Sequence, residues 1–353
     1  MNFLLFFLCF YCFAVEAHMP VFPGSTSASE PFLINDVTKK SWGIYGTLDS
    51  SSDAIAWLSM DGVKEEEMSV SLQRNEKAGF YDVAIWGPGL SSVNCTPDWY
   101  GWTHGVSGVF LTRDLSELPL SVKEAIGSEE AFVLHGDAKE DPEYEPFGVN
   151  LYWPIGGCKS TFPSSARYNM ALVVLNGTID YSLGVGMVES FSVVELITMS
   201  FVMLRTFIWG GRSLVSILLI FVLSTAVSYG LLFLRLSGFY NAGYKPLNGV
   251  SVGSHLVWLG ASGLVGSATV WLSQLLWCYA RKDDLGSSVW IAAVVHISLP
   301  LLIGILLLGF YRSSLNVLVF VAGVLMFFLA WQGYVVFPVL VMLGSFLNVI
   351  LEF

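Results

Sequence analysis

Two textures divide the chain. Up to about residue 186, short runs rich in β-branched and aromatic residues alternate with turns: 42–48 (WGIYGTL), 54–60 (AIAWLSM), 68–72 (MSVSL), 81–86 (YDVAIW), 168–175 (YNMALVVL) and 181–185 (YSLGV). Asp-Gly, Gly-Pro-Gly and Asn-Gly punctuate them, so they predict the strands of an antiparallel β-sandwich. Residues 114–130 (DLSELPLSVKEAIGSEE) depart from that pattern and predict a short helix, inside an insertion at about 91–162.

From residue 211 the chain changes to apolar runs long enough to cross a bilayer, at about 213–234, 254–280, 287–310, 315–332 and 334–351. They predict an α-helical transmembrane bundle of four to five helices, with a hairpin or kink near Gly333 and Pro338. Between the two textures, residues 191–210 place Ser192, Glu195, Thr198, Arg205 and Thr206 on one stripe of a helix. That stripe predicts an interfacial amphipathic helix with Trp209 at headgroup level; a first span is the alternative.

Composition sharpens the division. Hydrophobic residues make up 54% of the 353 and charged ones only 13%, too few for an ordinary soluble domain. Residues 18–190 carry 10 Lys+Arg against 23 Asp+Glu, whereas residues 191–353 carry 7 against 4. An acidic first half facing water argues against nucleic acid or anionic lipid as its ligand. At the start, residues 1–17 form a short apolar core with Val15 and Ala17 before a plausible cleavage site, the pattern of a signal peptide. The first half is then lumenal or extracellular, in the secretory pathway or at the cell surface. Cys95–Cys158 is the single disulfide pairing open to it, with two unpaired thiols as the alternative.

The order WGIYGTL, DAIAWLSMDG, MSVSLQRN, YDVAIWGPG and YNMALVVLNGTIDYSLGVG resembles that of bacterial-type pre-peptidase C-terminal (PPC-like) domains, which are small jelly-roll sandwiches. The resemblance covers about half of residues 18–190 and implies an accessory binding or stabilising domain. It implies no catalyst, and the long insertion departs from the family pattern.

Several residues carry candidate chemistry. Cleavage after Ala17 would give His18 a free amine, and an N-terminal histidine chelates copper through that amine and its ring, with His104 and His135 as further ligands and Met19 adjacent. Histidine-first copper sandwiches use that arrangement; an ordinary chain terminus is the alternative. Asn94-Cys-Thr and Asn176-Gly-Thr are glycosylation sequons, the second in a turn between strands. The acidic run Asp137, Glu140, Asp141, Glu143 and Glu145 lacks the ligand spacing of a calcium loop and suits a solvated surface. Tyr152 and Trp153 suit either a groove rim or core packing.

Within the apolar half, His255 and His296 invite a bis-histidine haem. His255 begins its run and His296 lies about 13 Å into the next, so the two do not share a depth and haem is disfavoured. His296 remains the mid-membrane ionisable group, a functional candidate by default. No phosphate loop and no paired Cys-x-x-Cys metal site occurs, which points away from an enzyme. The expected function is therefore a non-enzymatic, membrane-anchored β-sandwich that binds a lumenal or extracellular protein partner, as one subunit of a membrane assembly. Two alternatives stand beside it: a copper-binding or redox protein using His18, and a small-solute transporter, for which the chain shows no internal repeat.

Overall fold

The computed structural model describes residues 19–50, 55–75, 81–95, 110–135, 142–145, 149–174, 177–186, 188, 193–241, 251–282, 284–286, 289–311, 315–329 and 336–351. The chain splits into two compact units, Met1–Glu143 with Leu151–Ser192, and Tyr144–Asn150 with Val193–Phe353.

The first unit is built of two mixed sheets. Its strands are β1 Met19–Val21, β2 Phe32–Ile34, β3 Trp42–Asp49, β4 Ile55–Gly62, β5 Glu67–Arg74, β6 Tyr81–Trp86, β7 Phe110–Thr112, β8 Ala131–His135, β9 Glu143–Glu145, β10 Asn150–Thr161, β11 Ala166–Val174 and β12 Thr178–Val185; helix α1, Leu120–Ile126, falls between β7 and β8. One sheet has the order β1-β3-β12-β5-β10-β9 and the other β2-β4-β11-β6-β8-β7. The short strands β1 and β2 run parallel to β3 and β4, which makes both sheets mixed. Numbering only the eight long strands in chain order gives 1-8-3-6 in one sheet and 2-7-4-5 in the other. Chain neighbours such as β3 and β4 therefore sit in opposite sheets.

One hydrophobic cluster draws on both sheets: Ile44, Val70, Leu72 and Leu183 from the first, Leu58, Val83, Ile85 and Leu172 from the second. Alternate residues of each strand point the opposite way, and on the second sheet Trp57, Ala84, Trp86, Ala171 and Val173 form a separate apolar cluster there. The Tyr81 hydroxyl on β6 donates across to the first sheet, to the Ser182 carbonyl at 2.8 Å or the Gln73 carbonyl at 2.9 Å, and accepts from the Gln73 amide at 2.9 Å. Burial pushes this phenol well above its ordinary range. Tyr81→Phe is expected to cost about 2 kcal/mol, because the Gln73 amide stays buried and loses its acceptor; a denaturant midpoint equal to that of the parent protein would contradict it. After β12 the chain turns at Gly186, where φ is +81° and a Cβ would lie 2.4 Å from the Lys40 carbonyl oxygen, so only glycine fits.

Residues 91–162, which the sequence suggests as an insertion, supply β7, β8, β9 and β10 to the two sheets. β10 is twelve residues long and pairs antiparallel with β5, with a register shift between Pro154 and Gly156. The bulge absorbs a proline that lacks a ladder donor, and the Pro-Ile-Gly-Gly sequence reads as a turn for the same reason. The helix expected within 114–130 is α1, and the Cys95–Cys158 bond is formed, closing a separation of 63 residues.

The second unit is helical: α2 Val193–Trp209, α3 Leu214–Asn241, α4 Val252–Tyr279, then a turn Val289–Ile291 running through a π-helical stretch Ala292–Ser298 into α5 Leu299–Phe310, and finally α6 Asn316–Leu329 and α7 Val336–Leu351. Among the described residues three stretches are long and apolar enough to cross a membrane: Leu214–Leu234, Val252–Tyr279 and Ala293–Phe310. Only 11% of the most apolar window of α3 is buried, against 67% for α4, so α4 is the central helix and α3 a peripheral one. Glycines explain how α4 is packed: a Cβ at Gly263 would lie 2.0 Å from the Phe337 ring, and one at Gly260 would lie 2.7 Å from the Phe337 carbonyl. Small residues here let α4 and α7 approach closely, the usual device of helices without water between them. The expected break in 315–351 separates α6 from α7, with residues 330–335 outside the described residues.

On α2, Met203, Thr206 and Phe207 are buried while Arg205 is exposed. Thr206, expected on the polar stripe, turns inward because its hydroxyl donates to the Val202 carbonyl at 3.1 Å.

Candidate functional site

Two polar centres stand out, one in each unit. In the first, the antiparallel register that pairs Val83 with Leu134 makes Asp82 and His135 the next opposed residues of β6 and β8. His135 Nδ1 lies 2.7 Å from Asp82 Oδ1. The Asp82 side chain is 9% exposed and that of His135 34% exposed, so the carboxylate is buried and the ring opens outward. Burial raises the Asp82 carboxyl above its ordinary range, and the bond to His135 offsets part of that.

The pair forms the floor of a groove of about 230 Å³ walled by Thr112, Asp114, Glu117 and Leu118. That wall is built locally. Asp114 accepts from the Ser116 amide at 2.9 Å, which holds its exposed carboxyl below the ordinary range, and Lys123 Nζ on α1 donates to the Ser116 carbonyl at 2.6 Å. Leu118, Val122 and Ile126 pack against Trp57, Trp86 and Val133, seating α1 on the outer face of the second sheet. With Asp114 and Glu117 at its rim, the groove presents carboxylates around an imidazole.

Asp82 gives a signed pH dependence. Its folded pKa is raised, so the stability it contributes is fully present below the ordinary carboxylate range, near pH ~4, and is lost as pH rises through the folded value. Asp82→Asn is expected to remove that part of the pH dependence. Denaturant midpoints measured from about pH 3 to 7 check it, and an unchanged profile would count against a buried ionised Asp82.

In the helical unit the His296 ring, from the π-helical stretch, stacks on Trp271 of α4 with centroids 4.5 Å apart and planes 20° apart. Phe207 meets the same Trp271 edge-on at 5.2 Å. His296 is 3% exposed, and its Nε2 has no hydrogen-bond partner among the described residues. Gln274, one helical turn past Trp271, is 4% exposed and its Oε1 likewise has none. The other end of α4 is different. There Asn348 Nδ2 donates to Ser254 Oγ at 3.2 Å and to the Tyr311 hydroxyl, Ser251 Oγ donates to Asn348 Oδ1, and Tyr311 donates to Asn316 Oδ1 at 2.7 Å. That network is paired within itself and serves packing.

The sequence-derived candidates fall as follows. His18, His104 and Asn176 lie outside the described residues. His135 has Nδ1 committed to Asp82, which leaves Nε2 as its remaining ligand position. Among the described residues no group of three His, Cys, Asp or Glu side chains is placed to hold a metal ion. Asn94 is exposed beside the disulfide. Tyr152 is buried with its hydroxyl 3.1 Å from that of Tyr45, the packing role rather than a groove rim. His255 bonds the Tyr229 hydroxyl at 3.0 Å and sits sixteen residues, about 24 Å, along α4 from the Trp271 that carries His296, so the two imidazoles are not brought together.

Asp82, Asp114, Glu117, Trp271 and Gln274 were not singled out by the sequence. Asp82 carries a readable signal, an ionisable residue inside the apolar run YDVAIW, and so does Gln274 within an apolar helix. No protein-family model matches the chain, and no curated protein does.

Proposed function

We propose that the chain is an integral membrane protein in which a jelly-roll sandwich, carried on a bundle of membrane-spanning helices, binds a lysine or arginine side chain of a lumenal or extracellular protein partner. The groove floored by Asp82 and His135 and walled by Asp114 and Glu117 carries this reading. A guanidinium or ammonium group suits such a wall, because charge-assisted bonds to carboxylates are about twice as strong as neutral ones. The strand order is that of a jelly roll, in line with the PPC-like resemblance and its implied binding role. An apolar helix whose Val215, Leu219, Val222 and Leu231 are all more than half exposed is suited to lipid. The disulfide suits an oxidising compartment.

Binding of the full chain in detergent to Lys/Arg-rich and Asp/Glu-rich peptides tests the groove. The basic peptides are expected to bind, and Asp114→Asn with Glu117→Gln to weaken them roughly tenfold, about 1.4 kcal/mol. Equal binding of both peptide classes, or no loss in the double variant, would refute it.

A further inference from the structure

We propose that His296 is the proton-carrying group of a hydrated polar centre in the helical unit, and that the protein conducts protons through it. This rests on the membrane reading above. The centre is defined by two side chains more than nine-tenths buried, His296 and Gln274, whose Nε2 and Oε1 lack partners among the described residues while both adjoin Trp271. Unpaired buried polar atoms cost free energy comparable to a lost hydrogen bond, and water is the group that most often relieves them inside proteins.

The backbone singles out the same place. His296 belongs to a π-helical stretch of seven residues between α-helical segments, an arrangement found mostly at functional positions. Stacking on Trp271 fixes the ring plane and leaves its nitrogens at the ring edge.

The titratable groups around the centre are few. On α4 it is Cys278, one turn beyond Gln274; α5 contributes none. Arg212 stands beyond Phe207, its guanidinium carbon 5.3 Å from that ring, and Tyr144 belongs to the same unit. Glu145 lies electrostatically close to both Tyr144 and Cys278, and Arg281 to Cys278. In the step itself, a hydronium ion on one side breaks one O–H bond and gives its proton to the imidazole lone pair, forming one N–H bond and leaving water; the other N–H bond of the imidazolium then breaks, and its proton passes to water on the far side to form hydronium. Only a proton gradient is needed to drive it.

The test uses the full chain in liposomes holding a pH-sensitive dye, with valinomycin and potassium to set the potential. The parent protein is expected to acidify the lumen at least tenfold faster than protein-free vesicles. His296→Phe keeps the stacked ring and its volume yet binds no proton, and is expected to return the rate to that of empty vesicles. A parent rate equal to that of empty vesicles, or a His296→Phe rate equal to the parent rate, overturns the proposal. Gln274→Leu, expected to slow the flux without changing elution in size exclusion, guards against a packing effect. Resistance of the same vesicles to alkaline carbonate extraction reports insertion separately, so a failed relay is distinguishable from a failed membrane reading.

Discussion

Replacing Cys158 with serine is expected to lower the stability of the sandwich by about 4 kcal/mol, the chain-entropy value for a loop of the size closed here. The bond joins residues 63 apart in sequence. Cys158 is 0% exposed in the core cluster and Cys95 packs against it, so the link ties the start of the 91–162 stretch to the centre of β10. Among the described residues of 96–149, the other attachments are β7, β8, β9 and the apolar face of α1, and β7 and β9 are three residues each. Denaturant unfolding of the full chain in detergent, followed by tryptophan fluorescence, measures the effect. Dithiothreitol should shift the midpoint of the parent protein by the same amount and leave that of Cys158→Ser unchanged; a shift in both would place the effect elsewhere.

Arg212→Leu is expected to cost roughly 3–5 kcal/mol in the helical unit, the sum of two hydrogen bonds made by a charged donor. Its guanidinium is 6% exposed; Nη1 donates to Asn150 Oδ1 at 2.8 Å and Nη2 to the Val149 carbonyl at 2.6 Å. The planar group also stacks on Trp277, 4.1 Å from its centroid. Leucine would fill part of the volume while leaving the Val149 carbonyl and the Asn150 amide without their donor. Arg212→Lys keeps the charge but not the planar fork, so it should recover less than half of the loss. Thermal unfolding in detergent reads both variants, and full recovery by lysine would show that charge alone matters.

How much of this was legible in the sequence depended on the residue types involved. Six strands were readable because Ile44, Leu58, Val70, Val83, Leu172 and Leu183 recur in short β-branched runs between turn residues. β8 and β10 were not, the first because a five-residue run that follows a charged pair and ends in a histidine carries little periodicity, the second because Pro154, Gly156 and Gly157 imitate a turn. The apolar helices were legible from length alone, yet the π-helical stretch was not, since nothing in AAVVHIS distinguishes it from an ordinary turn of helix. His135 and His296 were singled out by their chemistry. Their partners Asp82 and Trp271 were not, because cross-strand register and helix contact bring them together over separations of 53 and 25 residues.

The account stands on the helical unit lying in a bilayer, and alkaline carbonate extraction of native membranes tests that most directly. The full chain is expected to remain in the membrane pellet at about pH 11, because α3, α4 and the 293–310 stretch are each long and apolar enough to cross a bilayer. Release of the protein into the supernatant under the same conditions would contradict the membrane assignment and every role built upon it.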